Sequence, residues 1–128
     1  MITDNALVVL AKQAKENSYS PYSNFSVGAA LLCEDGSVFF GCNIENAAFS
    51  ETICAERVAL FSAISQGARL FSHIAIAADS DGFCMPCGAC RQVLYEHAPN
   101  LTILCARADG VFQKYTLRDL LPIAFTLE

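Results

Sequence analysis

The chain has 128 residues and a mass of 13.8 kDa, which suits one compact domain spanning residues 1–128. Hydrophobic residues make up 54%, yet no run approaches the roughly 18 uninterrupted apolar residues of a membrane-spanning helix, so we expect a soluble protein without a membrane partner. The net charge of −5 has the wrong sign for binding a phosphate backbone, so we do not expect a nucleic acid polymer as a partner.

The apolar share and the cysteine count indicate the setting in which the chain works. A domain this small has too little interior to hide so many apolar groups, so we expect subunits to cover one another in an oligomer. Seven cysteines form an odd number, and no signal-peptide pattern is visible at the N-terminus. These features favour free thiols or a metal site over disulfides, and a cytoplasmic location.

The first third of the chain predicts a helix followed by a β-hairpin. Residues 3–17 place apolar side chains on one helical stripe, with Thr3 or Asp4 as the N-cap. Asp35-Gly36 stands between two runs of β-forming residues, and such a dipeptide predicts a tight turn between antiparallel strands. The two strands are predicted over residues 26–33 and 37–42.

The remaining chain alternates between helices and strands. Residues 71–78 and 101–106 are apolar without alternation, as in strands that are buried on both faces. Asp109-Gly110 predicts a turn, and Thr116 caps a short final helix that ends at Leu121. Because this alternation implies right-handed parallel crossovers, we predict an α/β fold: a three-layer α/β/α sandwich around a mixed five-stranded sheet. The other predicted elements are helices over 52–67 and 87–98 and a strand over 111–115.

Three cysteines stand at the predicted starts of the second and third helices. Cys87 and Cys90 are three residues apart, so their sulfurs lie on one helical face and can close on one ion. Cys54 can supply a third sulfur, because the parallel part of the sheet brings both helix starts to one edge. Three protein ligands leave the fourth position of tetrahedral zinc to water, which marks a catalytic site. Glu56 follows a ligand without sharing its helical face and is free to reach that water.

These residues carry a resemblance to a known family. Cys54-Ala55-Glu56, together with Pro86-Cys87-Gly88-Ala89-Cys90-Arg91-Gln92, resembles the zinc-dependent cytidine deaminases, specifically the small homotetrameric kind with three cysteine ligands. The resemblance extends over nearly the whole chain. It includes residues 21–25 (PYSNF), 41–46 (GCNIEN) and 120–122 (LLP), followed by Phe125.

The resemblance implies the chemistry of the site. It implies one Zn²⁺ per chain and hydrolytic deamination of cytidine and 2′-deoxycytidine to the corresponding uridines and ammonia. Glu56 would act first as the base and then as the acid that protonates the ring and the departing amine. Three thiolates give the zinc centre a charge of −1, which two helix N-termini and Arg57 would offset. By the resemblance, Arg57 donates hydrogen bonds to thiolate sulfurs.

The resemblance also implies the substrate contacts. Asn43 and Glu45 would bind ribose hydroxyls, and their spacing of two in an extended segment places both on one side. Phe25 would pack against the base, and the Ala55 backbone would contact the base edge. Phe125 would be lent to the active site of a neighbouring subunit, as expected for a homotetramer with shared sites.

Several alternatives remain open at this point. Cys84 forms a second Cys-x-x-Cys with Cys87, as in iron–sulfur or redox motifs, although that leaves Cys54 and Glu56 without a role. A blasticidin-S deaminase would share the zinc motifs, but Glu45 suits a ribose better than the sugar of that antibiotic. A structural zinc protein would use four closed ligands. Phe49 stands where the family more often has tyrosine.

Overall fold

The computed structural model describes residues 2–127, which form four α-helices and five β-strands. None of the helices in this described range is long and apolar enough to cross a bilayer. The elements in chain order are α1 (Asp4–Ala14), β1 (Val27–Cys33), β2 (Val38–Cys42), α2 (Ala55–Ser65), β3 (Phe71–Ala78), α3 (Gly88–His97), β4 (Thr102–Ala106), β5 (Phe112–Thr116) and α4 (Leu117–Leu120).

The predicted start and turn signals act as expected in the first third of the chain. The Thr3 side chain accepts a hydrogen bond from the Ala6 backbone at the start of α1. The hairpin between β1 and β2 turns at Gly36, whose φ of +91° lies in the left-handed region that glycine adopts without steric cost. The helix ends at Ala14 rather than near residue 17, because a 3₁₀ turn takes over from there.

The strands form one mixed sheet in the order β2-β1-β3-β4-β5. The β3–β4 pair is parallel, and the other neighbours are antiparallel. Because β2 and β3 both run antiparallel to β1, they point in the same direction and their carboxyl ends share one edge. The helices α2 and α3, which follow these strands, therefore begin near the same edge of the sheet.

Helices cover both faces of this sheet. On one face, α1 packs Leu7, Val8 and Ala11 into a core that includes Ala75 of β3. On the other face, α2 and α3 contribute to a second core that includes Ile76, the next residue of the same strand. Strand β3 is therefore buried on both sides, as predicted from its apolar residues without alternation. The three-layer α/β/α arrangement around a mixed five-stranded sheet is confirmed.

The start of α2 differs from the sequence prediction and matters for the site. The helix begins at Ala55 rather than at residue 52, because Phe49–Glu51 form a 3₁₀ turn and Ile53 is extended. Ile53 makes a β-bridge with Ile44, with a hydrogen bond in each direction between their backbones. This bridge fixes the approach of the chain to Cys54, which becomes the N-cap of the helix.

Gly41 allows β2 and α2 to approach closely beside this helix start. A Cβ atom at this position would overlap the carbonyl oxygen of Ala55 and the backbone nitrogen of Ala59. The first turn of α2 consequently lies directly on the backbone of β2. The sheet therefore sets the position of the helix that begins with Cys54.

Candidate functional site

Three cysteine sulfurs meet where α2 and α3 begin. Cys54 and Cys87 are the N-caps of the two helices, and Cys90 lies buried in the first turn of α3. Their Sγ atoms all lie within 4.8 Å of one another, and those of Cys54 and Cys87 are 3.9 Å apart. Tetrahedral zinc with bonds of about 2.3 Å holds two sulfurs about 3.8 Å apart. The cluster therefore has the size that a zinc ion requires.

The helix ends stabilise negative charge on these sulfurs. Neither N-cap thiol is used to cap its own helix, so both sulfurs are available to a ligand at the positive ends of two helix dipoles. Hydrogen bonds from Cys90 and from Arg57 lower the pKa of the Cys54 thiol to about 5, against the opposing effect of burial. The hydrogen bond with Cys54 and burial raise the pKa of Cys90. Arg57 and the helix ends therefore favour the thiolate form of Cys54.

Arg57 contacts this cluster directly. Its Nη2 atom lies 3.4 Å from the Sγ atom of Cys54, and this hydrogen bond raises the pKa of the guanidinium. Its Nε atom is buried and has no hydrogen-bond partner among residues 2–127. A buried donor beside sulfur atoms suits a site that carries several thiolates at once, as a zinc site does. The donor set and this unpartnered Nε–H both fit the metal.

Glu56 is a buried acid next to the cluster. The residue is 4% exposed and borders a cavity of about 260 Å³ that Cys54 and Cys87 also line. Burial raises the pKa of its carboxyl group to about 7, and the negative charge of Cys54 adds to the rise. A carboxyl group with a pKa near neutrality can both accept and release a proton at physiological pH.

Four of the predicted substrate-binding residues line the same cavity: Phe25, Asn43, Glu45 and Ala55. Phe125 is not among the described residues, 2–127, that line this cavity. Its side chain is 69% exposed, and its backbone is hydrogen-bonded to Gln92 on α3. The cavity therefore collects every predicted substrate contact except the one predicted to come from another subunit.

The comparisons with known proteins decide the family. Residues 1–106 match the family described as "Cytidine and deoxycytidylate deaminase zinc-binding region". Proteins named cytidine deaminase from Sporosarcina psychrophila and Halalkalibacterium halodurans are 48% and 51% identical to this chain, each over 95% of it and over 90% and 93% of their own lengths. The chain belongs to the cytidine deaminase family.

Solved structures support the same assignment. A crystal structure of cytidine deaminase from Burkholderia pseudomallei superposes with a TM-score of 0.94 at 48% identity, covering 97% of this chain and 100% of that one. The cytidine deaminase of Mycobacterium tuberculosis gives a TM-score of 0.86 at 40% identity, covering 99% and 100%. The resemblance drawn from the sequence motifs is confirmed. The predicted zinc cofactor is also confirmed, since the matched zinc-binding region contains all three clustered cysteines.

The other cysteines take no part in this cluster. Among the described residues, Cys84 is not part of any group of three metal-ligating side chains, which disfavours the iron–sulfur alternative. All seven cysteines lie in the described range, and none of them forms a disulfide there. Cys33 and Cys105 are buried in strands, and Cys42 is partly buried.

In this member of the family, Asn43 and Glu45 also hold the loop that carries Phe25. The Asn43 side chain donates to the Phe25 carbonyl oxygen at 2.7 Å and accepts from the Val27 backbone at 2.9 Å. One Glu45 oxygen accepts from the backbone nitrogens of Tyr22 and Ser23, at 2.9 and 3.1 Å. These loop contacts are not visible in the sequence, because they depend on how two distant segments fold together.

Ser23 links two of these groups through its hydroxyl. It donates a short hydrogen bond to the second oxygen of Glu45 and accepts one from the Phe25 backbone nitrogen at 3.0 Å. The bond from Ser23 lowers the pKa of Glu45, so this carboxylate stays charged near neutral pH. The sequence signal was the segment PYSNF at 21–25, which carried the family resemblance without indicating the role of its serine.

Proposed function

We propose that this protein is a zinc-dependent cytidine deaminase that hydrolyses cytidine and 2′-deoxycytidine to uridine and 2′-deoxyuridine and releases ammonia. One domain spanning residues 1–128 carries the activity, in the cytoplasm and in pyrimidine salvage. The observation that supports the proposal best is the position of Glu56, a buried acid at a cavity that two of the clustered cysteines also line. A site with a structural metal alone has no use for such an acid.

The protein side of the mechanism is mainly proton transfer. A zinc ion held by Cys54, Cys87 and Cys90 would supply a Lewis acid that lowers the pKa of water toward about 7. Glu56 accepts the proton that water loses as its oxygen attacks carbon 4 of the base. Glu56 donates that proton to ring nitrogen 3 and then takes the remaining proton from the new hydroxyl group on carbon 4. It delivers this second proton to the amine, so that the carbon–nitrogen bond breaks, the carbonyl forms and ammonia leaves. Its pKa of about 7 suits a group that works in both directions.

The cavity walls would orient the nucleoside. Phe25 packs against the base, and the Ala55 backbone contacts the polar edge of the base. Glu45 is a charged acceptor suited to ribose hydroxyls, and Asn43 stands two residues before it. Both side chains also brace the loop that carries Phe25, so the sugar contacts and the base contact are held by one network.

We also propose a homotetramer with shared active sites. Large apolar side chains stand on the surface of the single chain, among them Phe40 at 49% and Phe61 at 44% exposure. Phe125 is well exposed and lies outside the cavity of its own chain. A neighbouring subunit that covers these groups would receive the Phe125 ring against its bound base.

A Glu56→Gln variant tests the proposed chemistry. The variant should keep its fold and its zinc and should lose several orders of magnitude in kcat, since general acid–base help contributes about 10²–10⁴ for each transfer. Glu34→Gln is the matched control, because Glu34 is exposed in the hairpin turn. The assay follows the loss of ultraviolet absorbance with cytidine, and with blasticidin S in parallel.

Each outcome of this assay is informative. Retention of most activity by Glu56→Gln would refute the role of the acid. Turnover of blasticidin S without turnover of cytidine would replace the proposed substrate. Zinc-loaded wild-type protein that turns over neither compound would indicate a structural metal site.

A mixing experiment tests the shared site. Chains with Glu56→Ala are inactive but can still lend Phe125, whereas chains with Phe125→Ala keep Glu56 and lack the ring. Unfolding and refolding the two together should restore activity at low substrate concentration above the sum of the parents, since stacking on a base contributes about 1–3 kcal/mol. Hybrid oligomers without such recovery, verified by mass spectrometry, would refute sharing.

A further inference from the structure

The C-terminal segment, residues 121–127, has no helix or strand and little cover. Ile123 and Leu127 are 90% and 91% exposed, and Phe125 between them is 69% exposed. An irregular segment of this kind can present an aromatic ring at a defined place only if its backbone is fixed nearby. The contacts that fix the backbone at Phe125 therefore decide how well the ring is placed.

Gln92 holds both backbone polar groups of Phe125. The Gln92 side-chain amide donates from Nε2 to the Phe125 carbonyl oxygen at 2.8 Å, and its Oε1 accepts from the Phe125 nitrogen at 3.1 Å. Two such bonds from one planar amide fix the orientation of the residue as well as its position. Because the backbone of a residue limits the directions that its side chain can take, Gln92 helps to set where the Phe125 ring points.

Arg91, which precedes Gln92 on α3, links the start of the C-terminal segment to the residue before Cys87. Arg91 donates to the carbonyl oxygen of Pro86, which precedes Cys87, and to that of Leu120 at the end of α4, each at 2.8 Å. Gln92 stands two residues after Cys90 on α3. The two neighbouring side chains thus tie the tail at both ends to the helix that carries two of the zinc ligands.

We propose that Gln92 is a positioning residue that fixes Phe125 for the active site of a neighbouring subunit. The proposal rests on the proposed function and its shared sites. Gln92 does not line the cavity of its own chain and takes no part in proton transfer. It acts through the ring on binding of the base, so its loss raises KM and leaves kcat nearly unchanged.

The first test compares two variants of Gln92. Gln92→Met has similar length and makes neither bond, so KM should rise several-fold, by no more than Phe125→Ala raises it. Gln92→Glu keeps an acceptor for the Phe125 nitrogen but sets a carboxylate oxygen against the Phe125 carbonyl oxygen in place of the donor, so its KM should also rise. In a Phe125→Ala background, either substitution should change KM no further. An additional rise there would contradict the proposal, and Gln92→Glu alone suffices if Gln92→Met fails to fold.

The second test uses hybrid oligomers and places the same substitution on opposite chains. Glu56→Ala chains that also carry Gln92→Met lend a poorly placed ring, so mixing them with Phe125→Ala chains should recover less activity at low substrate concentration than Glu56→Ala chains do. Gln92→Met on the Phe125→Ala chain, whose ring is already absent, should leave the recovery unchanged. Gln92→Glu replaces Gln92→Met in both placements if needed.

The outcomes separate the two claims. Recovery that falls only when the substitution is on the lending chain supports Gln92 as a positioning residue. If recovery is the same whichever chain carries the Gln92 substitution, the positioning role of Gln92 is overturned. An equal loss would indicate a general effect on folding, and no loss would indicate that Gln92 does not matter. No recovery even with Gln92 intact in both chains refutes the shared site itself.

Discussion

Glu56 and Arg57 are neighbours in the first turn of α2 and have opposite electrostatic effects on the site. Glu56 is a buried acid whose pKa rises to about 7, which suits proton transfer. Arg57 donates a hydrogen bond to Cys54 and favours the thiolate form of that residue. The dipoles of two helices add to this stabilisation of the sulfurs. The charge balance of the site therefore depends on individual side chains within one helical turn.

Replacing Arg57 should weaken zinc retention, most of all in acid. Loss of the guanidinium removes one of the hydrogen bonds that hold the pKa of Cys54 at about 5, so this pKa rises and protons compete with the metal at higher pH. The midpoint pH of zinc release from Arg57→Ala, measured with a chelating dye, should therefore shift upward. Arg69→Ala is the control, because Arg69 contacts carbonyl groups near the other end of the same helix. An unchanged midpoint would show that the helix dipoles suffice.

Ser23→Ala should affect substrate binding more than chemistry. The substitution removes the hydroxyl that joins Glu45 to the Phe25 backbone, and a hydrogen bond of this kind contributes about 1 kcal/mol. We expect KM for cytidine to rise roughly fivefold with kcat little changed. Steady-state kinetics of Ser23→Ala beside Ser65→Ala, which alters a hydroxyl at the end of α2, measures this. A fall in kcat at constant KM would contradict the binding role.

The sequence predicts the reactive residues better than the residues that hold them. That the three cysteines and Glu56 lie close together could be predicted, because helix starts and ligand spacing are local properties of the chain. The contacts of Ser23 with Glu45 and of Gln92 with Phe125 join segments 22 and 33 residues apart. No local pattern encodes such pairs, because they form only when the loop and the tail settle on the finished fold.

At the scale of elements, the position of α2 depends on its contact with β2. Gly41 leaves no side chain between the strand and the first helical turn. A methyl group there would force the backbone at Ala55 and Ala59 away from the sheet. Because Cys54 and Glu56 stand in or beside this turn, a small shift of the helix would move the metal site and the acid together.

Gly41→Ala should therefore destabilise the protein and impair the site. Overpacking typically costs about 1–3 kcal/mol, and overlap with backbone atoms leaves little room for relief. We expect a clear fall in the free energy of unfolding, measured with urea, together with weaker zinc binding. Gly82→Ala is the matched control, since the nearest atom to its added Cβ is the Ser80 hydroxyl at 3.8 Å. Equal stability of the two variants would contradict the close approach of β2 and α2.

The sequence predicts which segments form helices and which form strands, but it predicts their first and last residues less accurately. The mostly apolar segment without alternation predicts β3 with its observed bounds, Phe71–Ala78, because burial on both faces leaves a strong pattern. The predicted start of α2 is three residues too early, because helical periodicity does not mark where a helix begins. Thr52 and Ile53 are β-branched and favour extended backbone, and Ile53 pairs with Ile44 in a bridge that local periodicity does not reveal.

Across the whole molecule, the chain has more apolar residues than its interior can hold, and several aromatic side chains are exposed as a result. Of the 128 residues, 54% are hydrophobic, and two sheet-covering cores leave Phe40 and Phe61 on the outside. Such surface favours association. Sedimentation equilibrium should give a mass about four times 13.8 kDa, as the proposed homotetramer requires. A fully active single chain would contradict both the oligomer and the shared sites.

The proposed reaction is hydrolytic deamination of cytidine at a zinc ion held by Cys54, Cys87 and Cys90, with Glu56 transferring the protons. It is tested most directly by ammonia release from cytidine, with uridine and zinc per chain determined on the same purified sample. We expect about one zinc per chain and one ammonia for each uridine formed, with loss of turnover when a chelator removes the metal. Folded, zinc-loaded protein that releases no ammonia from cytidine or 2′-deoxycytidine would contradict it.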